Sequence, residues 1–304
     1  IKFIVAEIKG KKLYVLTSSI INNDAVKKDM TIDYDILEAI IKKLLSDAKE
    51  KLGIEIKKTL LTIPTDSASF TINRARIDIK NEDNLITTDD MIKVVNLSGE
   101  NVVQDNMELV NITPLYYTLD DSSKTDMPVN TFSRSLEVKS IITSSRKEDV
   151  YKYLRVLDNL GVSVVDISYD VVGNYFAFKT DDMDTTCGVI IDIGYLSTSI
   201  SVYNKGVLVN TLKIKVGSLN VLKDISYIYK ISLESAKEVY KRLGLGSSKN
   251  ANNLEKIELK DNNGDKLIIN QVNLSEIIES RVQEILSMAK KQINTLTKRQ
   301  ISYI

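Results

Sequence analysis

The chain has 304 residues, with 41 Lys and Arg against 41 Asp and Glu, one Cys and no His. Zero formal charge argues against a general nucleic-acid binder, which needs a basic face, and the absence of His excludes His-based catalysis and His-ligated metal sites. One Cys, no recognisable signal peptide and no apolar run of the ~20 residues that span a membrane predict a cytoplasmic protein. Because the chain starts without Met, we expect it to be part of a longer protein.

The chain begins with a predicted β-hairpin, whose strands cover residues 2–8 and 12–18. Glu7 precedes its turn, and Gly10, Lys11 and Lys12 follow. The lysines could bind phosphate electrostatically, but their bulk obstructs the close backbone approach that glycine permits. An ordinary exposed turn explains the same residues, so both interpretations stay open.

A mixed α/β pattern follows the hairpin. Apolar residues at three- and four-residue spacing predict a helix over 33–52 that Gly53 ends, and strands are predicted over 57–63 and 70–79. Residues 80–165 predict a small α+β subdomain. Its elements are a helix over 89–97 capped by Thr88, extended segments over 102–113 and 115–119, a strand over 135–144, a helix over 147–160 and a strand over 162–168.

The stretch over residues 187–217 predicts strand, tight turn, strand, turn, strand, after a helix over 170–178. An apolar run ends at Asp192, and Gly194, Ser197 and Thr198 follow. Backbone N–H groups in such a turn can hold a phosphate, and an Asp can hold hydrated Mg²⁺. Asp192 could instead cap the hairpin.

Three helices and one more hairpin are predicted after this stretch. Gly217 and Ser218 open a helix over 219–228, whose N-terminus either receives a phosphate or simply starts a helix. A helix over 232–244 capped by Ser232, a hairpin of 254–259 with 266–270 around an Asn-Gly turn, and a long helix over 273–296 come next. Arg281 and Glu284 are three apart on that helix, which fits a surface ion pair.

Three segments carry a resemblance to a known family. Residues 187–217 resemble the second phosphate hairpin of the actin, Hsp70 and sugar-kinase superfamily, and within it the bacterial cell-division protein FtsA family. Residues 112–168 resemble the second half of the inserted 1C subdomain of that family. The most specific match is LSEIIESRVQEIL over 274–286, where the family has Glu, Arg and Glu in the spacing of Glu279, Arg281 and Glu284.

The resemblance implies an α/β, actin-like ATPase fold of two lobes with mixed sheets and flanking helices, plus an inserted α+β (1C-like) subdomain. Its subdomains would be 1A at 1–79 and 166–186, 1C at 80–165, 2A at 187–220 and 273–304, and 2B at 221–272. Residues 301–304 would begin the strand that precedes the adenosine loop.

The resemblance also implies a nucleotide site, with ATP and Mg²⁺ bound weakly or not at all. The positions that match the family's contacts are Glu7, Gly10, Lys11, Lys12, Asp192, Gly194, Ser197, Thr198, Gly217 and Ser218, with Asp192 also the metal ligand. Several positions depart from the family: Tyr195 and Ser197 replace small glycines, and Lys237 and Tyr240 stand where a Glu and a Lys contact the nucleoside. Turnover is therefore not expected, and no residue is assigned as catalytic.

The implied function is an adaptor at the inner face of the bacterial cell membrane. Such a protein polymerises, binds the C-terminal tail of FtsZ, here through Arg281, Glu284 and Lys291, and reaches the membrane by a C-terminal helix that is not seen in this chain. No nucleic acid is expected as a partner. The alternative is an actin-like cytoplasmic scaffold of another membrane machine, of the pilus-assembly type. An active phosphotransferase is disfavoured because no carboxylate in a retained loop has an evident substrate pocket beside it.

Overall fold

The computed structural model describes residues 1–10, 12–22, 25 and 33–304, which divide into two compact units, Ile1–Asp170 and Val171–Ile304. Among the described residues, no helix combines the length and apolar content that a membrane span requires.

The first unit contains three sheets and three helices among its described residues. Its elements are β1 Lys2–Lys9, β2 Lys12–Ile20, α1 Tyr34–Leu52, β3 Lys58–Ile63, β4 Ser69–Asp78, α2 Thr88–Gly99, β5 Met107–Leu119, β6 Lys124–Thr125, β7 Ser135–Arg146, α3 Lys147–Asn159 and β8 Ser163–Tyr169. Strands β1 and β2 pair antiparallel, β3 and β8 pair parallel, and the antiparallel sheet of four has the order β4-β7-β5-β6.

Local sequence signals explain where the helices of this unit begin and end. The side chain of Asp33 accepts the backbone N–H of Ile36, and Gly53 adopts the left-handed conformation that ends α1, as expected. The predicted cap of α2 at Thr88 is wrong, because Thr87 caps the helix and forms a reciprocal capping box with Asp90.

Strand β5 replaces the two extended segments predicted for 102–113 and 115–119. It runs through Pro114, and its pairing with β7 shifts between Pro114 and Tyr116. Because proline has no N–H to donate to the ladder, an irregularity at this point lets one strand continue past it. Val94 of α2 packs on this sheet against Tyr117, Leu136 and Val138, with Ile86 in the same cluster, and all five are buried.

The second unit contains a meander of three strands and a smaller helical part with a hairpin. Its elements are α4 Asp170–Phe178, which begins at the boundary, β9 Cys187–Ile193, β10 Thr198–Asn204, β11 Val207–Ile214, α5 Ser218–Tyr229, α6 Leu233–Leu243, β12 Lys256–Lys260, β13 Lys266–Asn270 and α7 Gln271–Leu296, with short helical turns at Asp181–Asp184 and Ser248–Asn250.

The two predicted hairpins of this unit and the cap of α6 are confirmed. Strands β9, β10 and β11 pair antiparallel in that order, and β12 pairs with β13 around Gly264 at φ +89°. Ser232 accepts the N–H of Ser235 at 3.1 Å. Of the strand expected over 301–304, an isolated parallel bridge between Tyr303 and Gly188 is present.

Helix α7 connects the two cores of the second unit. Its first half packs with α5, α6 and β13 through Leu274 and Ile278, and its second half packs under the meander through Ile285, Ala289 and Ile293. One amphipathic stripe of α7 therefore supports both parts.

The predicted subdomain boundaries remain predictions. Strand β4 pairs with β7 along its whole length in the sheet of four, although the boundary at residue 80 assigns it to 1A.

Candidate functional site

The exposed carboxylate of Asp192 lies near the end of β9, where the sequence predicts a phosphate and metal site. It faces Ser199 across the ladder, and the Nδ2 of Asn174, on α4, donates to its Oδ2 at 3.0 Å. Among the described residues, no group of three or more His, Cys, Asp or Glu could hold a metal ion. Asp192 is therefore a single carboxylate, which suits a hydrated Mg²⁺ better than a dehydrated one.

The turn after β9 packs directly on the N-terminus of α5. The N–H of Gly194 donates to the carbonyl of Ser197 at 2.9 Å, which closes the turn. The carbonyls of Gly194 and Tyr195 accept the N–H groups of Ser218 and Leu219, both at 2.9 Å. The first donors of α5, which the sequence offers as a phosphate site, are thus bonded to the turn itself.

Gly217 is where the turn and α5 approach most closely. A Cβ on Gly217 would lie 2.6 Å from the carbonyl oxygen of Gly194, 2.7 Å from that of Tyr195 and 2.8 Å from the nitrogen of Ser197. Its φ of −154° is ordinary extended backbone, so the requirement for glycine comes from lack of space. Gly217 and Ser218 consequently hold the turn in place.

The hydroxyl of Thr198 is also used within the fold. Thr198 is fully buried, and its Oγ1 donates to the carbonyl of Val216 at 2.8 Å. The N–H groups of Tyr195, Leu196 and Ser197 have no acceptor within the described part of the chain, so they are the donors left for a phosphate. The residues therefore fit a nucleotide phosphate in part.

The first hairpin belongs to the other unit and has a more open structure. Lys9 pairs with Lys12 across the turn, and Gly10 adopts φ +63° with nothing within 4 Å of a Cβ. The carboxylate of Glu7 forms an exposed ion pair with Lys9 at 3.1 Å. Lys11 lies outside the described residues. Glu7 thus has a cation of its own strand beside it, and Lys12 is exposed.

The two positions that depart from the family's nucleoside pair lie on α6. Tyr240 packs against the core of α5, α6 and α7, and Lys237 is exposed. Tyr240 therefore has a packing role that its sequence position did not indicate.

The predicted tail-binding residues lie on α7, and two of them are engaged inside the unit. Arg281 donates through Nε to Asp224 Oδ2 at 2.6 Å and through Nη2 to Asp224 Oδ1 at 2.9 Å, and its Nη1 contacts Glu284 at 2.5 Å. The hydrogen bonds with Asp224 raise the pKa of Arg281. This fork joins α5 to α7. Lys291 is exposed ten residues further along the helix, about 15 Å away by the helix rise.

Glu279 has a role that sequence reasoning missed. Its Oε2 accepts both the N–H and the Oγ of Ser248 at 2.8 Å, and these bonds lower the pKa of Glu279. In the matched Glu-Arg-Glu pattern of α7, Glu279 thus binds the 245–253 loop, and Arg281 binds both α5 and Glu284 of its own helix. The sequence signal for this role was a carboxylate on a partly buried helix face. The sequence did not indicate its partner, Ser248, because that residue is 31 positions away.

A second network that the sequence did not reveal lies behind β10. Tyr175 donates to Asp184 Oδ1 and Lys179 to Asp184 Oδ2, both at 2.7 Å, and these bonds, that of Lys179 first, lower the pKa of Asp184. Tyr203 donates to the carbonyl of Val171 and stacks on Tyr175 at 4.6 Å between ring centres. The network fixes α4 against the meander and therefore positions Asn174 at Asp192.

A cavity of about 740 Å³ lies beside β9, lined among others by Phe178, Met183, Ile190 and Tyr303. None of the predicted site residues lines it.

Comparison with known proteins gives a consistent family. The family model "Cell division protein FtsA" matches residues 189–301, and the model "SHS2 domain inserted in FTSA" matches residues 66–144. A cell division protein FtsA of Bacillus subtilis strain 168 is 24% identical over 296 residues, covering 97% of this chain and 67% of the relative. The FtsA of Streptococcus pneumoniae serotype 2 strain D39 is 22% identical over 301 residues, covering 97% and 64%.

A solved structure titled "PilM-PilN type IV pilus biogenesis complex" superposes with a TM-score of 0.59 at 13% identity, covering 97% of this chain and 74% of that one. At this identity the likeness shows the fold alone. The chain spans about two thirds of the length of the curated relatives it matches. The two family models, the relatives matched over nearly the whole chain and the shared architecture lead to one conclusion: this chain is an FtsA-like protein of the actin-like ATPase fold.

Proposed function

We propose that the protein is an actin-like cell-division adaptor, which polymerises and links the FtsZ ring to the inner face of the cell membrane. The family matches and the names of the relatives support the division role. The link to FtsZ would be made through its C-terminal tail, and the link to the membrane through a C-terminal amphipathic helix.

We further propose that its ATP site is weakened. The observation that carries this proposal is the turn at Gly194, whose carbonyls accept the first N–H groups of α5. Together with the buried Thr198 hydroxyl, this removes donors that a phosphate would otherwise use. The remaining N–H groups are flanked by the bulky side chains of Tyr195 and Leu196, which hinder close backbone approach. Weak Mg-ATP binding without turnover is the expected behaviour.

The tail-binding surface is proposed on α7 around Lys291. Arg281 already binds both Glu284 and Asp224, so this network would shape the surface by fixing α5 against α7. The exposed ammonium group of Lys291 would attract acidic residues of the tail.

The test is fluorescence anisotropy with a labelled FtsZ C-terminal tail peptide, with and without Mg-ATP. We expect a Kd on the order of micromolar that does not change when Mg-ATP is added. Lys291→Glu should weaken binding about tenfold, whereas Lys249→Glu, a charge reversal on the 245–253 loop, is the matched control.

Binding that requires Mg-ATP would contradict the weakened site. Absence of binding under both conditions would contradict the FtsZ link, and the scaffold of another membrane machine would then be the better hypothesis.

A further inference from the structure

The antiparallel sheet of four has one face that bears most of its cations. Pairing of β4 with β7 places Arg74 opposite Lys139 and Arg76 opposite Glu137. Pairing of β7 with its other neighbour, β5, places Tyr116 opposite Lys139. Directly paired residues point to the same side of a sheet, as do residues two apart on one strand. These side chains therefore share one face. We name it the cationic sheet face and define it by Ile72, Arg74, Arg76, Tyr116, Lys124, Glu137 and Lys139.

The seven residues of this face are exposed or half-buried, whereas the opposite face is buried. On the same side of β7, Ile141 and Thr143 are buried, so the accessible surface does not extend to that end of the sheet. Leu136 and Val138, which alternate with Glu137 and Lys139 on β7, are buried under α2. On the cationic sheet face, Ile72 is 60% exposed and the side chain of Arg74 is 57% exposed. Ile72, which lies beside Arg74 on β4, provides an apolar contact for a partner.

Two lysines of the face meet at one aromatic ring. The Nζ of Lys124 lies 4.7 Å from the ring centre of Tyr116, and that of Lys139 lies 5.7 Å from it. No carboxylate of the described residues forms an ion pair with either lysine. Their like charges repel each other across the ring, and an added carboxylate would attract both.

The surroundings of the face are acidic. Residues 69–146 contain 8 Lys and Arg and 12 Asp and Glu, and four of these eight cations lie on the cationic sheet face. On its side of the sheet lie Glu137, which pairs with Arg74 at 3.3 Å, and Asp78 at its margin. Glu108 is on the same side, opposite Ser145 at the far end of β5. A long polyanion such as a nucleic acid or an anionic membrane would meet the acidic surroundings, whereas a short acidic segment fits within the face.

We propose that the cationic sheet face docks a short acidic segment of a partner protein. Its carboxylates would pair with Lys124 and Lys139 over Tyr116, and an apolar side chain would pack on Ile72. This surface lies in the first unit, whereas Lys291 and α7 lie in the second, so the proposal goes beyond the FtsZ link.

The test uses the full chain and a fluorescein-labelled peptide of Asp and Glu residues with one Leu and one Phe. Anisotropy should show saturable binding, which is weakened about tenfold or more by the double variant Lys124→Glu/Lys139→Glu. The same peptide with Asn and Gln in place of Asp and Glu should bind about tenfold more weakly. The double variant Lys80→Glu/Lys93→Glu changes the same number of charges at exposed positions of the same segment outside the face and should bind as the unchanged chain does.

Several outcomes would overturn the proposal. They are no saturable binding, equal binding to the Lys124/Lys139 double variant, or binding that Lys291→Glu abolishes. Competition with a single-stranded oligonucleotide or with phosphatidylglycerol vesicles is a further check. If either competitor displaces the peptide and binds the Lys124/Lys139 double variant more weakly, the face binds a polyanion instead. Far-UV circular dichroism of each variant checks that these exposed substitutions leave the fold intact.

Discussion

The first hairpin, formed by β1 and β2, and the meander of β9, β10 and β11 both have glycine turns but differ in burial. In β1 and β2, Ile4, Ile8 and Leu13 are 62%, 73% and 67% exposed. In β10, Ile200 and Val202 have no exposed surface, because the second half of α7 packs against the meander. The same local pattern of alternating residues therefore gives an open hairpin in one unit and a buried core strand in the other.

Two glycines at these turns, Gly10 within the first hairpin and Gly217 on the helix end that packs against the Gly194 turn, are required for different reasons. Gly10 is required by its backbone angle, since it adopts φ +63° with open space around it. Gly217 is required by crowding, since three backbone atoms lie within 2.8 Å of its Cβ position. A turn that is packed on a helix is fixed in shape, and its backbone donors are partly used by that packing.

The largest expected effect comes from truncating the core strand. Ile200→Ala should lower the free energy of unfolding of the second unit by about 3 kcal/mol, because it removes buried methyl groups and leaves a cavity. The matched change Ile4→Ala in the exposed hairpin should alter the stability of its unit by within about 0.5 kcal/mol. Hydrogen exchange of peptides from each hairpin measures the two effects separately. Equal effects would contradict the difference in burial.

Crowding at the turn gives the next largest effect. Gly217→Ala should destabilise the second unit by about 2 kcal/mol, because the new methyl group meets backbone that cannot rotate away. Gly10→Ala should cost about 1 kcal/mol, from the left-handed angle alone. Gly173→Ala in α4, with nothing within 4 Å of its Cβ, is the control and should be neutral or stabilising.

Urea unfolding followed by circular dichroism gives the midpoints of these three variants. A smaller loss for Gly217→Ala than for Gly10→Ala would mean that the turn is not packed on α5 as described.

Removing the Thr198 hydroxyl should have a moderate effect on stability and none on nucleotide binding. Thr198→Val leaves the carbonyl of Val216 without its donor and should destabilise the second unit by about 1.5 kcal/mol. Ser197→Ala, at the turn, should change stability by within about 0.5 kcal/mol. Titration with a fluorescent ATP analogue checks the site. A loss of binding in Thr198→Val alone would show that its hydroxyl contacts the nucleotide.

The smallest effect concerns the stability in acid of the turn between β10 and β11. A Cβ on Gly206 would lie 3.1 Å from Asp184 Oδ1, whose carboxyl has a lowered pKa because of its bonds with Lys179 and Tyr175. The stabilisation of the folded state by the ionised Asp184 carboxylate is complete above the unfolded pKa of about 3.9, and it is lost as the pH falls through the lower pKa of the folded state. Asp184→Asn should therefore reduce the fall in the urea midpoint between neutral pH and pH values below about 3. An unchanged pH profile would contradict the role of Asp184.

The order of elements followed from the sequence because its signals are local. The stripe of α1, its ends at Asp33 and Gly53, the cap at Ser232 and the Asn-Gly hairpin all act within four residues of chain. The cap of α2 was misplaced by one residue because two threonines are adjacent, and only the reciprocal bonds with Asp90 distinguish them.

The candidate site was predicted by residue type, and the tertiary structure decided how those residues are used. Asp192 is exposed as the motif requires, but its partner Asn174 comes from a different element. Whether Thr198, Ser218 and Arg281 face a ligand or the protein depends on groups 18 to 57 residues away in the chain.

The sequence by itself determined the α/β alternation, the glycine turns, the long helix α7 and the likeness to FtsA, because these depend on spacing within single segments. The tertiary structure alone decided that the Gly194 turn packs against α5, that Arg281 binds Asp224 and that four cations of an acidic segment share one open face. These contacts depend on the packing of strands and helices that are distant in sequence. Their hydrogen bonds and charge contacts therefore form only once the chain has folded.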